Sequence, residues 1–244
     1  MNLVTAFLGQ VSPYIVAGVF LAGIGFRLWA WAHVPVPFRI ALSPDPKTGR
    51  GVAGSIVAET LLFRSLFRGG KEGWAGAWVF HAALALTLVG HFFGIALLAK
   101  QFTLLGASEE ASKDLSALFG SIAGILLLAT LAYLFARRIA IPYVRIISFA
   151  NDYFVVILLV AIALTGGYMR LLTETDLAPI RDYVGGLLAF NPPPLPDNPM
   201  FAVHFSLVQL LLLYFPFSKL MHSCGVFFTR ALVTAKALRT GEVA

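Results

Sequence analysis

The stretch GWAGAWVFHAALALTLVGHFFGIALLA, residues 73–99, has no charged residue between Glu72 and Lys100 and carries two histidines, His81 and His91. A transmembrane helix needs about 20 consecutive, mostly apolar residues, and this run is long enough to cross a bilayer. Ionisable side chains inside such a span are costly and are functional candidates by default. This one stretch therefore predicts an integral membrane protein with a chemical site inside the membrane.

The composition of the whole chain agrees with a membrane protein. Of its 244 residues, 59% are hydrophobic and only 12% are charged, and the mean hydropathy is +0.83. Because a soluble domain carries about 25% charged residues, this composition excludes a soluble enzyme and a disordered chain. The single cysteine excludes an internal disulfide framework. We interpret the net charge of +6 as basic residues facing an anionic membrane leaflet, with no nucleic-acid partner.

Four further uncharged stretches predict transmembrane helices. The first lies at the beginning of the sequence, and because no basic residue precedes its apolar core we interpret it as a span rather than a signal peptide. The five predicted helices cover about 10–32, 74–99, 115–136, 147–170 and 199–222, with Asp152 inside the fourth. The predicted fold is an all-α integral membrane protein, a five-transmembrane-helix bundle that forms a single membrane domain over residues 1–244.

The lysines and arginines are unevenly divided among the loops. Most of the 18 fall in the first loop, the third loop and the C-terminal tail. The opposite side has only Lys100, Lys113, Arg170 and Arg181. The positive-inside rule therefore predicts an N-terminus outside and a C-terminus inside the cytoplasm.

Two loops have distinct character. The first inner loop, 33–73, begins with several prolines and becomes amphipathic around Ile56–Phe67. Two interpretations of that second half stay open: a helix at the membrane interface, or a docking surface for a soluble partner. The last outer loop ends in the proline-rich segment 191–199, which predicts an extended lead-in to the fifth helix.

Four of the five histidines lie in or at the end of predicted spans, His81 and His91 on the second and His204 and His222 on the fifth. In antiparallel helices, depth pairs His81 with His222 near the inner side and His91 with His204 near the outer side. The spacing of 18 residues returns His222 to the face of His204 at about 100° per residue. Two such pairs suit two haems between helices 2 and 5. Without a C-x-x-C-H motif, b-type haem is expected.

Other interpretations of the histidines stay open. Membrane histidines also serve as hydrogen-bonded core residues or proton relays, which describes a cofactor-free membrane anchor or a proton-relay transporter subunit. A zinc or copper site needs clustered ligands, whereas these four histidines are predicted at two depths. His33, in the first inner loop, has no obvious partner. Small residues that could admit a flat macrocycle, or serve plain helix packing, are Gly76, Gly90, Gly94, Gly120, Gly124, Gly166 and Gly167.

Three motifs carry a family resemblance. The residues FH at 80–81, GHFFG at 90–94 and PFSKLMH at 216–222 resemble the respiratory nitrate reductase gamma subunit family. The resemblance covers about residues 74–235. It implies five spans with the N-terminus outside, an inner haem b on His81 and His222, and an outer haem b on His91 and His204. It also implies electron transfer between a membrane quinone pool and a cytoplasmic iron–sulfur subunit, in the bacterial or archaeal cytoplasmic membrane.

The sequence ETLLFRSLFR at 59–68, followed by Trp74 and Trp78, is more similar to the DsrM and heterodisulfide-reductase cytochrome branch. This resemblance implies a heterodisulfide-reductase-like iron–sulfur partner on the basic inner face and a role in dissimilatory sulfur metabolism. Other membrane and periplasmic subunits are further candidate partners. The gamma subunit of respiratory nitrate reductase is the alternative within the family.

The resemblance further implies a quinone site near the outer haem. Its candidate residues are His91 and Lys113, although an interfacial anchor explains Lys113 equally well. Haem propionates need cations. The candidate cations are Arg64, Arg68, Lys219 and Arg230 at the inner haem and Arg170 at the outer one. The sequence leaves the direction of electron flow open.

Overall fold

The computed structural model describes residues 3–33, 49–173 and 175–226, and this part of the chain is helical without strands. Residues 34–48 and the tail with Arg230 lie outside the described residues. The helices are α1 (Leu3–His33), α2 (Gly49–Leu62), α3 (Arg64–Gly69), α4 (Lys71–Ala96), α5 (Glu109–Ala140), α6 (Pro142–Ile146), α7 (Ala150–Leu171), α8 (Ala178–Leu188) and α9 (Pro199–Tyr214).

Five helical stretches in the described part of the chain are long and apolar enough to cross a membrane: α1, α4, α5, α7 and α9 with the turn that follows it to Phe217. Five candidate spans were predicted, and the structure has five. The third is longer than the predicted 115–136, because Ser108 caps α5 by accepting a hydrogen bond from the backbone N–H of Ala111. The same helix ends at Ile141, whose extended backbone precedes Pro142.

The predicted continuous fifth helix, 199–222, is wrong at its C-terminal end. Helix α9 stops at Tyr214, and two short 3-10 turns follow, Phe215–Phe217 and Lys219–Met221. Pro216 cannot donate a backbone hydrogen bond, and Ser218 between the turns is extended. Residues 222–226 are helical again. The helical phase that placed His222 on the face of His204 therefore does not apply.

The described residues form two compact units, which are considered separately. The first contains the N-terminal residues to Ala17 and the range Gly76–Leu213. In it α4, α5 and α7 pack around Ala83, Leu127 and Leu131, which are nearly inaccessible to solvent. Ala83 is small, so the helices approach closely at this point. The prediction of a single membrane domain over residues 1–244 stays a prediction.

Helix α8 was not predicted, because it is short and lies in a loop assigned only an extended proline segment. Its side chains Ile180 and Tyr183 pack with Phe201 of α9. Burial raises the pKa of Tyr183 to about 12, so its hydroxyl remains a neutral donor. That hydroxyl donates to the carbonyl of Gly9 in the π-helical segment Phe7–Val11. The predicted proline-rich lead-in to α9 is confirmed as non-helical up to residue 198.

Gln209 of α9 makes a second polar contact with the N-terminal residues of this unit. Gln209 of α9 is 6% exposed, and its amide oxygen accepts a 2.6 Å hydrogen bond from the Ser12 hydroxyl. Its amide nitrogen donates to the carbonyl of Leu8 at 3.1 Å. Both ends of a buried amide are thus paired, which removes the penalty of burying it in an apolar environment.

The second unit contains Gly18–Ala75 and the chain from Tyr214. The amphipathic segment predicted around Ile56–Phe67 is helical but is interrupted at Phe63, whose φ of 49° is left-handed. The Trp74 indole donates to the carbonyl of Leu62 at 2.7 Å and so satisfies the end of α2. This α2–α3 corner keeps apolar side chains exposed, among them Leu61 and Leu62.

Candidate functional site

The rings of His91 on α4 and His204 on α9 face one another in the first unit. Their centres are 6.2 Å apart, and the ring planes differ by only 8°. An imidazole nitrogen lies about 2.0 Å from a metal ion that it ligates and about 1.1 Å from the centre of its ring. Two rings that share one metal ion need a separation of about this size. Ligation of a haem by His91 and His204 stays a prediction.

Hydrogen bonds determine which nitrogen of each ring can ligate. Nδ1 of His91 lies 2.7 Å from the carbonyl of Thr87, which can only accept, so this nitrogen carries a proton. Nδ1 of His204 lies 2.9 Å from the Thr165 hydroxyl, which itself donates to the carbonyl of Ala161. Both rings therefore present Nε2 as the ligating atom. Such a second partner fixes the tautomer and raises the basicity of a metal ligand.

The hydrogen bond of His204 to Thr165 is stronger evidence for a specialised site than the bond of His91 to Thr87. His33, the last residue of α1, makes the same bond to the carbonyl of Trp29 four residues before it as His91 makes to Thr87. A bond of this kind is therefore ordinary for a histidine in a helix, and the expectation that His33 has no partner is wrong. Thr165, by contrast, lies on another helix and orients His204 across an interface. Thr165 was not among the predicted site residues, although a hydroxyl in an uncharged span is a natural partner for a buried histidine.

The glycines divide into two groups. Gly166 lies against the His204 ring, and a Cβ there would be 3.2 Å from its Cε1 atom. Gly76 instead makes room for the Tyr133 ring, so its expected role beside a macrocycle is wrong. At Gly90, Gly94, Gly124 and Gly167 no atom lies within 4 Å of the position that a Cβ would occupy. Their predicted role beside a macrocycle stays a prediction.

Arg170 lies one helical turn after Gly166 on α7, and its guanidinium is in contact with Gly120 of α5. No ion pair in the described part of the chain involves Arg170. A cation without a carboxylate partner within a membrane-spanning helix is costly. Its position near His204 makes it a suitable partner for an anionic group bound there.

Lys113 is exposed on the second turn of α5. It lies one turn after Glu109, whose carboxylate forms a 2.7 Å ion pair with Lys100. The ion pair links the start of α5 to the residues after α4. The position of Lys113 in a quinone site stays a prediction.

The remaining histidines lie in different units, His81 in the first and His222 in the second. Nδ1 of His81 is 2.7 Å from the carbonyl of Ala77, and Nδ1 of His222 is 2.8 Å from the carbonyl of Lys219. Each ring is thus oriented by its own segment. Their pairing about an inner haem stays a prediction.

A cavity of about 650 Å³ adjoins His222 in the second unit. This volume is within the usual range for cofactor pockets. It is lined by Arg27, Trp31, Ser218, Lys219, Met221, His222, Gly225 and Val226. Lys219, a predicted propionate partner, is among these residues. Arg64 and Arg68 lie on α3 and do not line the cavity.

Among the residues that the structure describes, no three His, Cys, Asp or Glu side chains cluster in the manner of a metal site. A zinc or copper ion held entirely by such side chains is therefore not supported in these parts of the chain. Paired histidines remain compatible with haem, because the porphyrin supplies the other four ligands of the iron.

The comparison with known proteins agrees with the histidine pattern. The nitrate reductase gamma subunit family matches residues 67–236, a range that contains all four candidate ligands. The "Hdr-like menaquinol oxidoreductase cytochrome b-like subunit" of Archaeoglobus fulgidus is 29% identical over 93% of this chain and 79% of its own length. The protein of the same name from Archaeoglobus profundus is 27% identical over 89% of this chain and 75% of its own length. The chain therefore belongs to the nitrate reductase gamma subunit family, with relatives in the Hdr-like cytochrome b branch that residues 59–68 indicate.

Proposed function

We propose that this chain is a dihaem b cytochrome, the membrane subunit of a quinol oxidoreductase complex. His91 and His204 would hold the outer haem, and His81 and His222 the inner one. The observation that carries the proposal is the facing pair of rings on α4 and α9, 6.2 Å apart and nearly parallel. Each haem would supply one-electron redox chemistry at its iron.

The residues around the outer pair have separate roles in this proposal. Thr165 holds the His204 ring in the tautomer that ligates through Nε2. Gly166 admits that ring against α7, because any side chain there would press on it. Arg170 would pair with a propionate, which supplies the anion that this cation lacks within the described residues.

The partners follow from the relatives and from the distribution of charge. Both relatives are named as subunits of menaquinol oxidoreductases of Hdr-like type. We therefore propose that this chain reacts with a membrane quinone, with Lys113 at that site. The predicted contact of His91 with the quinone is not retained, because its Nδ1 is bound to the carbonyl of Thr87 and its Nε2 would ligate the haem. Electrons would pass between this quinone and a heterodisulfide-reductase-like iron–sulfur subunit on the basic inner face, where Arg64 and Arg68 lie on exposed α3. Such a complex would act in sulfur metabolism. The alternative is that the chain is the gamma subunit of a respiratory nitrate reductase complex.

The proposed arrangement is a multi-pass protein of the bacterial or archaeal cytoplasmic membrane, with the N-terminus outside and the C-terminus inside. Reporter fusions to the two ends test it. A periplasmic reporter should be active only at the N-terminus, and a cytoplasmic reporter only at the C-terminus. Activity of both ends on one side would overturn the arrangement.

A reduced-minus-oxidised optical spectrum of the purified chain tests the function itself. A b-type haem signal equivalent to two haems per chain is expected. Alanine in place of His91 or His204 should remove one haem, and alanine in place of His81 or His222 the other. Substitution of His33 is the matched control, because His33 is a helical histidine with the same Nδ1 bond and should leave both haems in place.

The same measurement decides between the proposal and its alternative from another class. A cofactor-free anchor or proton-relay subunit gives no b-type signal in any variant. Loss of the same haem from both the His81 and His91 variants would contradict the pairing by depth. Purification of the complex from membranes identifies the partner: a molybdenum-containing subunit in place of an Hdr-like one would favour the nitrate reductase alternative.

A further inference from the structure

One face of the second half of α1 packs on the turn that follows α9. Phe20 lies 5.4 Å from Phe215, measured between ring centres. Gly23 is next along this face, and a Cβ there would come within 2.6 Å of the Pro216 side chain. Arg27 follows one turn later, and its Nε donates to the Pro216 carbonyl at 3.1 Å. The spacing of these residues is that of a single helical face.

The same face continues to Trp31 and reaches the cavity beside His222. Trp31 packs on Gly225, where a Cβ would lie 3.4 Å from the indole ring. Arg27 and Trp31 then line the cavity together with His222 and Lys219. The cavity thus has an imidazole, an aromatic wall and a guanidinium on its margin. An apolar body with an anionic edge complements these groups.

Arg27 is well placed to bind that anionic edge. Its Nε is committed to the Pro216 carbonyl, which fixes the plane of the guanidinium. The two terminal nitrogens, Nη1 and Nη2, remain on the opposite side of the fork, where a guanidinium binds a carboxylate through two hydrogen bonds. Arg27 and Trp31 lie outside the range 67–236 that matches the family.

We propose that Arg27 binds a propionate of the inner haem, so that α1 supplies an anion-binding residue to the site of His222. The inference rests on the proposed function, because it assumes that His222 ligates a haem. It adds α1 to a site whose two ligands are predicted on the second and fifth helices. Trp31 would cover the apolar part of the same group.

The test is a redox titration of the purified chain, followed by optical and EPR spectroscopy of both haems. A cation near the propionates favours the reduced iron, because reduction removes one positive charge from the haem. The Arg27→Gln variant should therefore shift the reduction equilibrium of the inner haem about tenfold toward the ferric form, equivalent to about 59 mV for one electron. Arg27→Lys, which keeps the charge, should keep most of the wild-type potential.

The controls separate this proposal from the proposed function. Arg137 lies outside the cavity, in contact with Tyr143, and Arg137→Gln makes the same change of charge without affecting either haem. Unchanged potentials and full haem content in Arg27→Gln would overturn the role of Arg27 while leaving the dihaem proposal intact. Loss of bound phospholipid in that variant with unaltered haems would also overturn it and assign the cavity to a lipid headgroup. Absence of haem from the wild-type chain would refute the proposed function instead.

Discussion

Replacement of Thr165 by valine tests the geometry of the outer site most directly. Valine has nearly the shape of threonine, but a methyl group replaces the hydroxyl that receives the Nδ1 proton of His204. The ring of His204 then keeps only its hydrogen bond to the backbone of Ile162. The net contribution of one such hydrogen bond is about 0.5–1.5 kcal/mol. Loss of such a second partner reduces the affinity for a metal centre by about 10–100-fold.

The direction of the redox change follows from the same bond. An acceptor on Nδ1 makes the ring a stronger electron donor through Nε2, and this favours ferric iron. Its removal should raise the reduction potential of the outer haem. If about 1 kcal/mol of the bond energy distinguishes the two oxidation states, the increase is about 40 mV for a one-electron couple. The inner haem should keep its potential.

The assay is haem content per chain together with a redox titration that resolves the two haems. Thr87→Val is the matched control: the Thr87 hydroxyl donates to the carbonyl of Ala83, whereas His91 uses the backbone carbonyl of Thr87, which valine retains. Thr165→Ser keeps the hydroxyl and should behave as the wild type. Full haem content with an unchanged outer potential in Thr165→Val would refute the reasoning.

Two pairs of glycines close together in the sequence give further predictions. Gly166→Ala should distort or partly remove the outer haem, because the new methyl group presses on the histidine ring at 3.2 Å; Gly167→Ala, in open space, should not, and equal spectra of the two variants would contradict this packing. Gly23→Ala should reduce occupancy of the inner haem, because a Cβ within 2.6 Å of a rigid proline ring displaces the turn before His222. Gly25→Ala, with nothing within 4 Å, is its control. Loss of the outer haem alone from Gly23→Ala would refute the link between α1 and that turn.

The sequence predicts what depends on length and periodicity. Uncharged runs identified the five candidate spans, because the hydrocarbon thickness of a bilayer sets a minimum length for each. The proximity of His91 and His204 was also expected, because depth along two regular antiparallel helices depends only on residue number. In both cases residue positions along regular helices are sufficient.

Features that depend on side-chain contacts between distant segments could not be predicted in this way. Thr165 is one of many hydroxyl residues in the spans, and only the packing of α7 against α9 brings it to His204. Gln209 likewise has no visible partner until the N-terminal residues are folded beside it. The end of α9 was missed because proline in a membrane helix often gives only a kink. Here Pro216 is followed by an extended Ser218, which stops the helix altogether.

Because α9 stops at Tyr214, the two predicted haem sites are held by different parts of the structure. His91 and His204 lie within long regular helices, so their rings are held by helix packing and by Thr165. His222 follows two short turns whose backbone carbonyl is bound by a side chain of α1. A local change in α1 should therefore alter the inner haem without altering the outer one.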